Sequence, residues 1–153
     1  MKVKEYLEKS SAHYEELEHR PTFTSQHMAA EEHVPGLCVA KPVLVKADEK
    51  FYLCVLPGCY KIDLDELRGQ LGASNVSLAD ESEIAKVFAD CELGAEPPFG
   101  ELYGIDTIMD ESLEDDEFVV FQGGSHEKAI KMTIEEYLML AKPVVLNFSY
   151  PMR

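Results

Sequence analysis

No apolar run in this chain of 153 residues is long enough to cross a bilayer. The longest, such as "GLCVA" and "PVVLNF", fall far short of the roughly 20 residues a spanning helix needs. The opening "MKVKEYLEKS" is charged and periodic and lacks the apolar stretch of a secretory signal, so the expected location is the cytoplasm and no membrane partner is expected. Basic residues are scarce: 14 Lys and Arg face 29 Asp and Glu, a formal net charge of -15. That balance is the reverse of a nucleic-acid-binding footprint, excludes DNA as an expected partner, and requires any RNA to be approached through a small local patch. The four cysteines (Cys38, Cys54, Cys59, Cys91) have no zinc spacing and, without a secretory signal, read as reduced thiols. The five histidines (His13, His19, His27, His33, His126) form no HExxH pair, so no metal and no cofactor are expected. Also missing are a GxSxG nucleophile turn, internal repeats and low-complexity linkers. What is present, 46% hydrophobic residues in a chain of this length, fits one domain over residues 1–153.

Periodicity predicts short helices among hairpin-linked strands, which is an α+β organisation rather than a doubly wound sheet. "VKEYLEKS" places Val3, Tyr6 and Leu7 on one helical face, and "HYEELEH" reads as an edge strand. Thr24 or Ser25 can cap a helix over "QHMAAEEH" that ends at "VPG". "LCVAKPVLVKA" and "KFYLCVLP" form a hairpin around the turn "DEK". Proline cannot donate to a ladder, so Pro42 implies an edge, bulge or strand start, with Lys41 turned out of the regular pairing. Leu64, Leu67 and Leu71 followed by Gly72 predict a helix with a glycine stop, and "NVSLA" a strand. Asp80 with Glu83 makes a capping box for "ESEIAKVFAD", whose Ile84, Val87 and Phe88 face the core. Strands "DTIMD", "EFVVFQ" and "KAIKM" follow. Thr133 with Glu136 then caps "IEEYLMLAK", which Pro143 stops. The tail "VVLNFSYPMR" is open between an added strand and a dimer contact.

Three features point to chemistry. Lys41 stands beside the strand proline. The segment "CELGAEPPFGELYGI" sets Gly94, Ala95, Glu96, Pro97, Pro98, Phe99 and Gly100 in a stiff, bared loop. "QGGSH" closes a strand with Gly123, Gly124, Ser125 and His126. Each alone has an ordinary explanation, as a solvated edge lysine or a plain turn. With no evident nucleophile, a hydrolase built from them would work by orienting water and stabilising charge.

Taken in order, "VAKPVLV", "GAEPPFG" and "FQGGSHEKAIKM" resemble the YbaK family, the aminoacyl-tRNA deacylases related to the editing insertion of bacterial prolyl-tRNA synthetase. The resemblance covers nearly the whole chain, including "EHRPTFTSQHMAAEEHVPG" and "IDLDELRGQLGASNVSLA". The family's lysine falls on Lys41, and its loop of a glycine, three variable residues and a proline falls on Gly94 to Pro98. The histidine that bears on amino-acid selection in synthetase-inserted members falls on His126. The resemblance implies a compact α+β fold around a mixed, partly barrel-like sheet. It implies hydrolysis, in trans, of the ester of a mischarged aminoacyl-tRNA, a step of translation quality control, with a small amino acid such as alanine, cysteine or serine on tRNA for proline as the substrate. Catalytic roles fall to Lys41, Gly94 and Pro98. Substrate contacts fall to Ala95, Glu96, Pro97, Phe99, Gly100, Gly123, Gly124, Ser125 and His126. The implied partners are the aminoacyl-tRNA 3′ end and an aminoacyl-tRNA synthetase. One departure stands out: many family members place threonine or asparagine after the lysine, where this chain has Pro42. The rival reading is a non-catalytic binding module for a nucleotide, an amino-acid derivative or a protein.

Overall fold

The computed structural model describes residues 2–18 and 39–151. The helix expected over "QHMAAEEH", together with Cys38, lies outside them. Helix α1 (Lys2–Lys9) buries Val3 and Leu7, four apart and hence on one face, and packs Tyr6 against the same core. Strand β1 (Glu15–Glu18) is the edge of a three-stranded antiparallel sheet in the order β1, β8 (Lys128–Thr133), β7 (Phe118–Gln122).

Strands β2 (Ala40–Ala47) and β3 (Lys50–Pro57) form the expected hairpin, turning through Asp48 and Glu49, both at positive φ. Their register runs unbroken from Ala40 opposite Pro57 to Ala47 opposite Lys50. Lys41 therefore pairs regularly with Leu56, which corrects the expectation that it is turned out of the ladder. The chain accommodates Pro42 by alternation instead. Val39 O accepts from Gly58 N on the β3 side, whereas Leu44 O accepts from Ala79 N on the opposite side. Pro42, two residues before Leu44, thus turns its ring nitrogen and carbonyl outward. There β5 (Val76–Leu78) has already ended, its last pairing being Leu78 with Val45. No ladder bond is lost, because among the described residues none is offered at that point of the edge.

The larger sheet runs β5, β2, β3, β6 (Asp106–Asp110), β9 (Val144–Leu146), with β6 parallel to both neighbours and the other pairs antiparallel. It is a mixed sheet, as the resemblance implied. Among the described residues one parallel bridge, Val39 with Val120, joins it to the three-stranded sheet. Helix α2 (Leu64–Leu71) is capped by the Asp63 side chain and closed by Gly72 at φ 66°. Helix α3 (Glu81–Val87) carries the complete capping box of Asp80 and Glu83. It buries none of its own residues, however: Phe88, just past its end, enters the core while Ile84 and Val87 stay half-buried. Helix α4 (Ile134–Ala141) is capped by Thr133, but Glu136 spends its carboxylate on His13 N rather than completing a box.

The tail is an added strand pair. β9 extends the large sheet, and β10 (Ser149–Pro151) pairs with β4 (Tyr60–Ile62). The connection between them is held by buried Asp110, whose Oδ1 accepts from Phe148 N at 2.9 Å and Ser149 N at 3.0 Å while Oδ2 accepts from Ser112. Cys54, Cys59 and Cys91 are free thiols, and burial pushes Cys54 and Cys91 up to about 12. No helix among the described residues is long and apolar enough to cross a membrane.

Candidate active site

Pleating puts Pro42 and Leu44 on one face of β2 and Lys41 and Val43 on the other. A cleft of ≈ 460 Å³ touches all four, so it wraps around the open edge that Pro42 leaves unpaired. Its floor is the apolar group of Leu44, Leu53 and Phe88, roofed by Ile84 of α3, and its far wall is Leu93, Gly94 and Glu96 of the glycine-proline loop. Leu78 and Leu93, 54% and 46% exposed, stand on its border. The described lining contains no hydroxyl, thiol or imidazole.

Lys41 is half-buried and its Nζ donates to Tyr60 O at 2.7 Å. Burial lowers its pKa below the ordinary 10.5, Cys59 opposes that shift and Lys61 adds to it. One of three ammonium donors is occupied, leaving two for a ligand.

The loop differs from the bared segment expected. Glu92, Leu93 and Gly94 are exposed at its start, but Ala95 to Gly100 are buried. Phe99 enters an aromatic cluster, with its ring centroid 5.5 Å from Phe121 and 5.2 Å from Tyr137. The Tyr137 hydroxyl donates to Pro98 O at 2.6 Å, and Gly100 N donates to Thr107 Oγ1 at 2.8 Å. Gly100 is glycine for space, because a Cβ there would meet Ile105 O and Thr107 Oγ1 at 2.7 Å. Gly94 is glycine for conformation, at φ 88°. Pro98, Phe99 and Gly100 therefore anchor the loop from below, while Gly94 and Glu96 face the cleft.

The turn after β7 braces the loop from behind. Gly124 N donates to Ala95 O and Glu92 N to Gly124 O, both at 2.8 Å. His126 is buried, with Nε2 2.7 Å from Leu93 O. Gly123, Gly124, Ser125 and His126 thus lie outside the cleft's described lining and set the position of the residues that form it. Sequence reasoning missed Tyr137, Thr107 and Glu92. The only signal was composition: a tyrosine inside an apolar helix face, where a hydroxyl needs a partner.

Backbone donors in the loop are mostly spoken for. Gly94 N donates to the Glu96 carboxylate at 3.1 Å, Ala95 N to Glu92 O and Phe99 N to Pro97 O, and Pro97 and Pro98 have none. Glu96 N–H has no acceptor among the described residues.

This fold and cleft have recognisable relatives. Residues 19–140 match the profile of the aminoacyl-tRNA editing domain, and the chain belongs to that family. The match spans Lys41, the Gly94 to Pro98 loop and the turn at Gly123 to His126. The multifunctional Ser/Thr-tRNA deacylase ProXp-y of Escherichia coli (strain K12) is 29% identical over 97 residues. The shared region covers 63% of this chain and 58% of that relative, less than two thirds of its length. Among solved structures, hypothetical protein APE2540 superposes with a TM-score of 0.89 at 22% identity, over 98% of this chain and 100% of the other. A candidate trans-editing enzyme for prolyl tRNA synthetase superposes at 0.86 and 21% identity, over 97% and 95%. At these identities the likeness is one of fold.

Proposed function

We propose that this protein hydrolyses the ester joining a small amino acid to the 3′ end of a mischarged tRNA, with tRNA for proline as the carrier. The observation that carries the reading is the cleft: Lys41, Gly94 and Glu96 around an apolar floor, with no nucleophile in its described lining, in a chain of the editing family. An aminoacyl ester is already activated, so a site that binds and orients it needs no covalent step. Water adds to the ester carbonyl, the oxyanion is held by the Glu96 N–H, the loop donor without an acceptor among the described residues, and the bond to the terminal ribose oxygen breaks. That oxygen takes up the proton water gives, assisted by the neighbouring ribose hydroxyl, releasing free amino acid and tRNA. Lys41 serves the terminal phosphate or the reacting carbonyl. Leu78 and Leu93 offer an apolar border for the terminal base. A synthetase that hands over the tRNA is the partner this reading adds, supported by the description of one structural relative as a trans-editing enzyme for prolyl tRNA synthetase.

The reading is tested by incubating the protein with alanyl-, cysteinyl-, seryl- and threonyl-tRNA and following ester loss. Acceleration on at least one of them, with correctly charged prolyl-tRNA spared, is expected. Spontaneous rates throughout would overturn it.

A further inference from the structure

Glu96 is a buried carboxylate, 8% exposed, on the wall of the cleft. Its side chain accepts one hydrogen bond, from Gly94 N at 3.1 Å. No Lys, Arg or His among the described residues pairs with it. Lys41, the cation of the same cleft, does not pair with it: its Nζ bonds Tyr60 O, and Glu96 is not among the groups that shift it. A carboxylate has about four acceptor sites, and the one bond from Gly94 leaves the others open on the cleft side, since neither Glu96 oxygen is sealed away without a partner. The apolar floor of Leu44, Leu53 and Phe88 in the same cleft strengthens a charge pair formed there relative to one in open water.

We infer that Glu96 is the receptor for the α-ammonium group of the esterified amino acid, and so selects aminoacyl esters over esters that lack a free amine. This rests on the deacylase reading for the identity of the ligand. Glu96 holds the ammonium through its remaining acceptor sites, while its own backbone N–H, which has no acceptor among the described residues, lies one bond from the same Cα. A ligand carrying an ammonium one carbon from a carbonyl matches that pairing of a carboxylate acceptor with an N–H donor on one residue. Val43 and Ile84, apolar residues of the same cleft lining, accept a small side chain without asking it for a hydrogen bond. The acceptor sites that Glu96 leaves open on the cleft side are filled by a ligand rather than by the fold.

The test uses two non-hydrolysable probes, 3′-(L-alanylamino)-3′-deoxyadenosine and its counterpart without the amine, 3′-(propanoylamino)-3′-deoxyadenosine, titrated by calorimetry into the full chain. The wild type should bind the first at least about tenfold more tightly, since a charge-assisted hydrogen bond is involved. Glu96→Gln should bind both alike. In the wild type the Gly94 amide resonance should move with the amine-bearing probe and not with the other, a readout that survives if Glu96→Gln does not fold. Equal binding of the two probes by the wild type, no binding of either, or a preference that persists in Glu96→Gln would each overturn the assignment. Selective binding without hydrolysis of any mischarged tRNA would leave Glu96 in place and remove the deacylase reading. Hydrolysis with no amine preference would do the reverse.

Discussion

The Nε2 atom of His126 lies 2.7 Å from the carbonyl of Leu93, so the turn after β7 holds the cleft wall by a side chain as well as by backbone. In the tautomer that carries its proton on Nε2, the ring donates to that carbonyl. Two backbone bonds flank the contact, Gly124 N to Ala95 O and Glu92 N to Gly124 O. Among the described residues His126 thus touches the cleft wall and is not part of the cleft lining.

His126→Ala should therefore slow deacylation of alanyl- and seryl-tRNA by similar factors and leave their ratio near the wild-type value. His126→Gln, which keeps a donor, should recover part of the rate. Measured kcat/KM for the two substrates checks this. A changed ratio with an unchanged fold would place the ring against the amino acid itself.

Tyr137 makes the second long-range tie. Its hydroxyl donates to Pro98 O inside the core, and Tyr137→Phe leaves that carbonyl buried without its donor. A stability loss of about 1–3 kcal/mol is expected in urea unfolding, with the aromatic packing retained. An unchanged midpoint would show that the loop does not depend on this bond.

How much of this was legible beforehand follows the range of each interaction. The capping box of Asp80 and Glu83, the glycine stop at Gly72 and the hairpin turn at Asp48 and Glu49 are set by neighbours within a few residues, and sequence spacing reports them. Tyr137 reaches Pro98 across 39 positions, and Asp110 reaches Phe148 across 38. Nothing periodic encodes such pairs, so the tail's strand role and the burial of the loop had no local signal. Pro42 shows the intermediate case. Its edge position follows from the missing donor, but whether the strand bulges there depends on where β5 stops. The three site segments stand out in the sequence, and their roles come through resemblance. Their division into a cleft wall (Lys41, Gly94, Glu96), an anchor (Pro98, Phe99, Gly100) and a brace (Gly123 to His126) needed coordinates.

Gly94→Ala should cost both stability and turnover. At φ 88° an alanine is strained by roughly 1–2 kcal/mol, and the added methyl stands on the cleft wall. The melting temperature should fall, and kcat/KM measured well below it should fall by about tenfold or more. Wild-type turnover of the folded protein would make Gly94 a turn residue only.

Lys41 carries a pH signature. Burial disfavours its ammonium in the folded protein, so the folded pKa lies below the unfolded 10.5. The sign follows: the charged form weakens folding at neutral pH, and that penalty disappears as pH rises through the folded value toward 10.5. If the ammonium serves the reaction, the rate should decline on the alkaline side before pH 10.5. Lys41→Met should lose about tenfold or more in kcat/KM, with a circular dichroism spectrum like the wild type's. A pH-rate profile identical in the two proteins would remove Lys41 from the mechanism.

The net charge of -15 limits contact with the tRNA body. Lys46 is paired with Glu83 at 3.6 Å, Lys128 with Glu16 at 3.4 Å, and Lys131 lies over the Phe118 ring at 4.2 Å. A site that neutralises one or two phosphates of a single-stranded end gives a log affinity against log salt slope of about -0.7 to -1.4. A slope steeper than about -4 for uncharged tRNA would reveal an extended phosphate track.

The most direct measurement is ester loss from an alanylated minihelix in three parallel reactions: without protein, with the wild type, and with the wild type saturated by the alanylamino-deoxyadenosine probe. A deacylase site in this cleft predicts rapid deacylation by the wild type and a return to the spontaneous rate when the probe fills it. A wild-type rate equal to the spontaneous one, or an acceleration that the bound probe does not suppress, would contradict it.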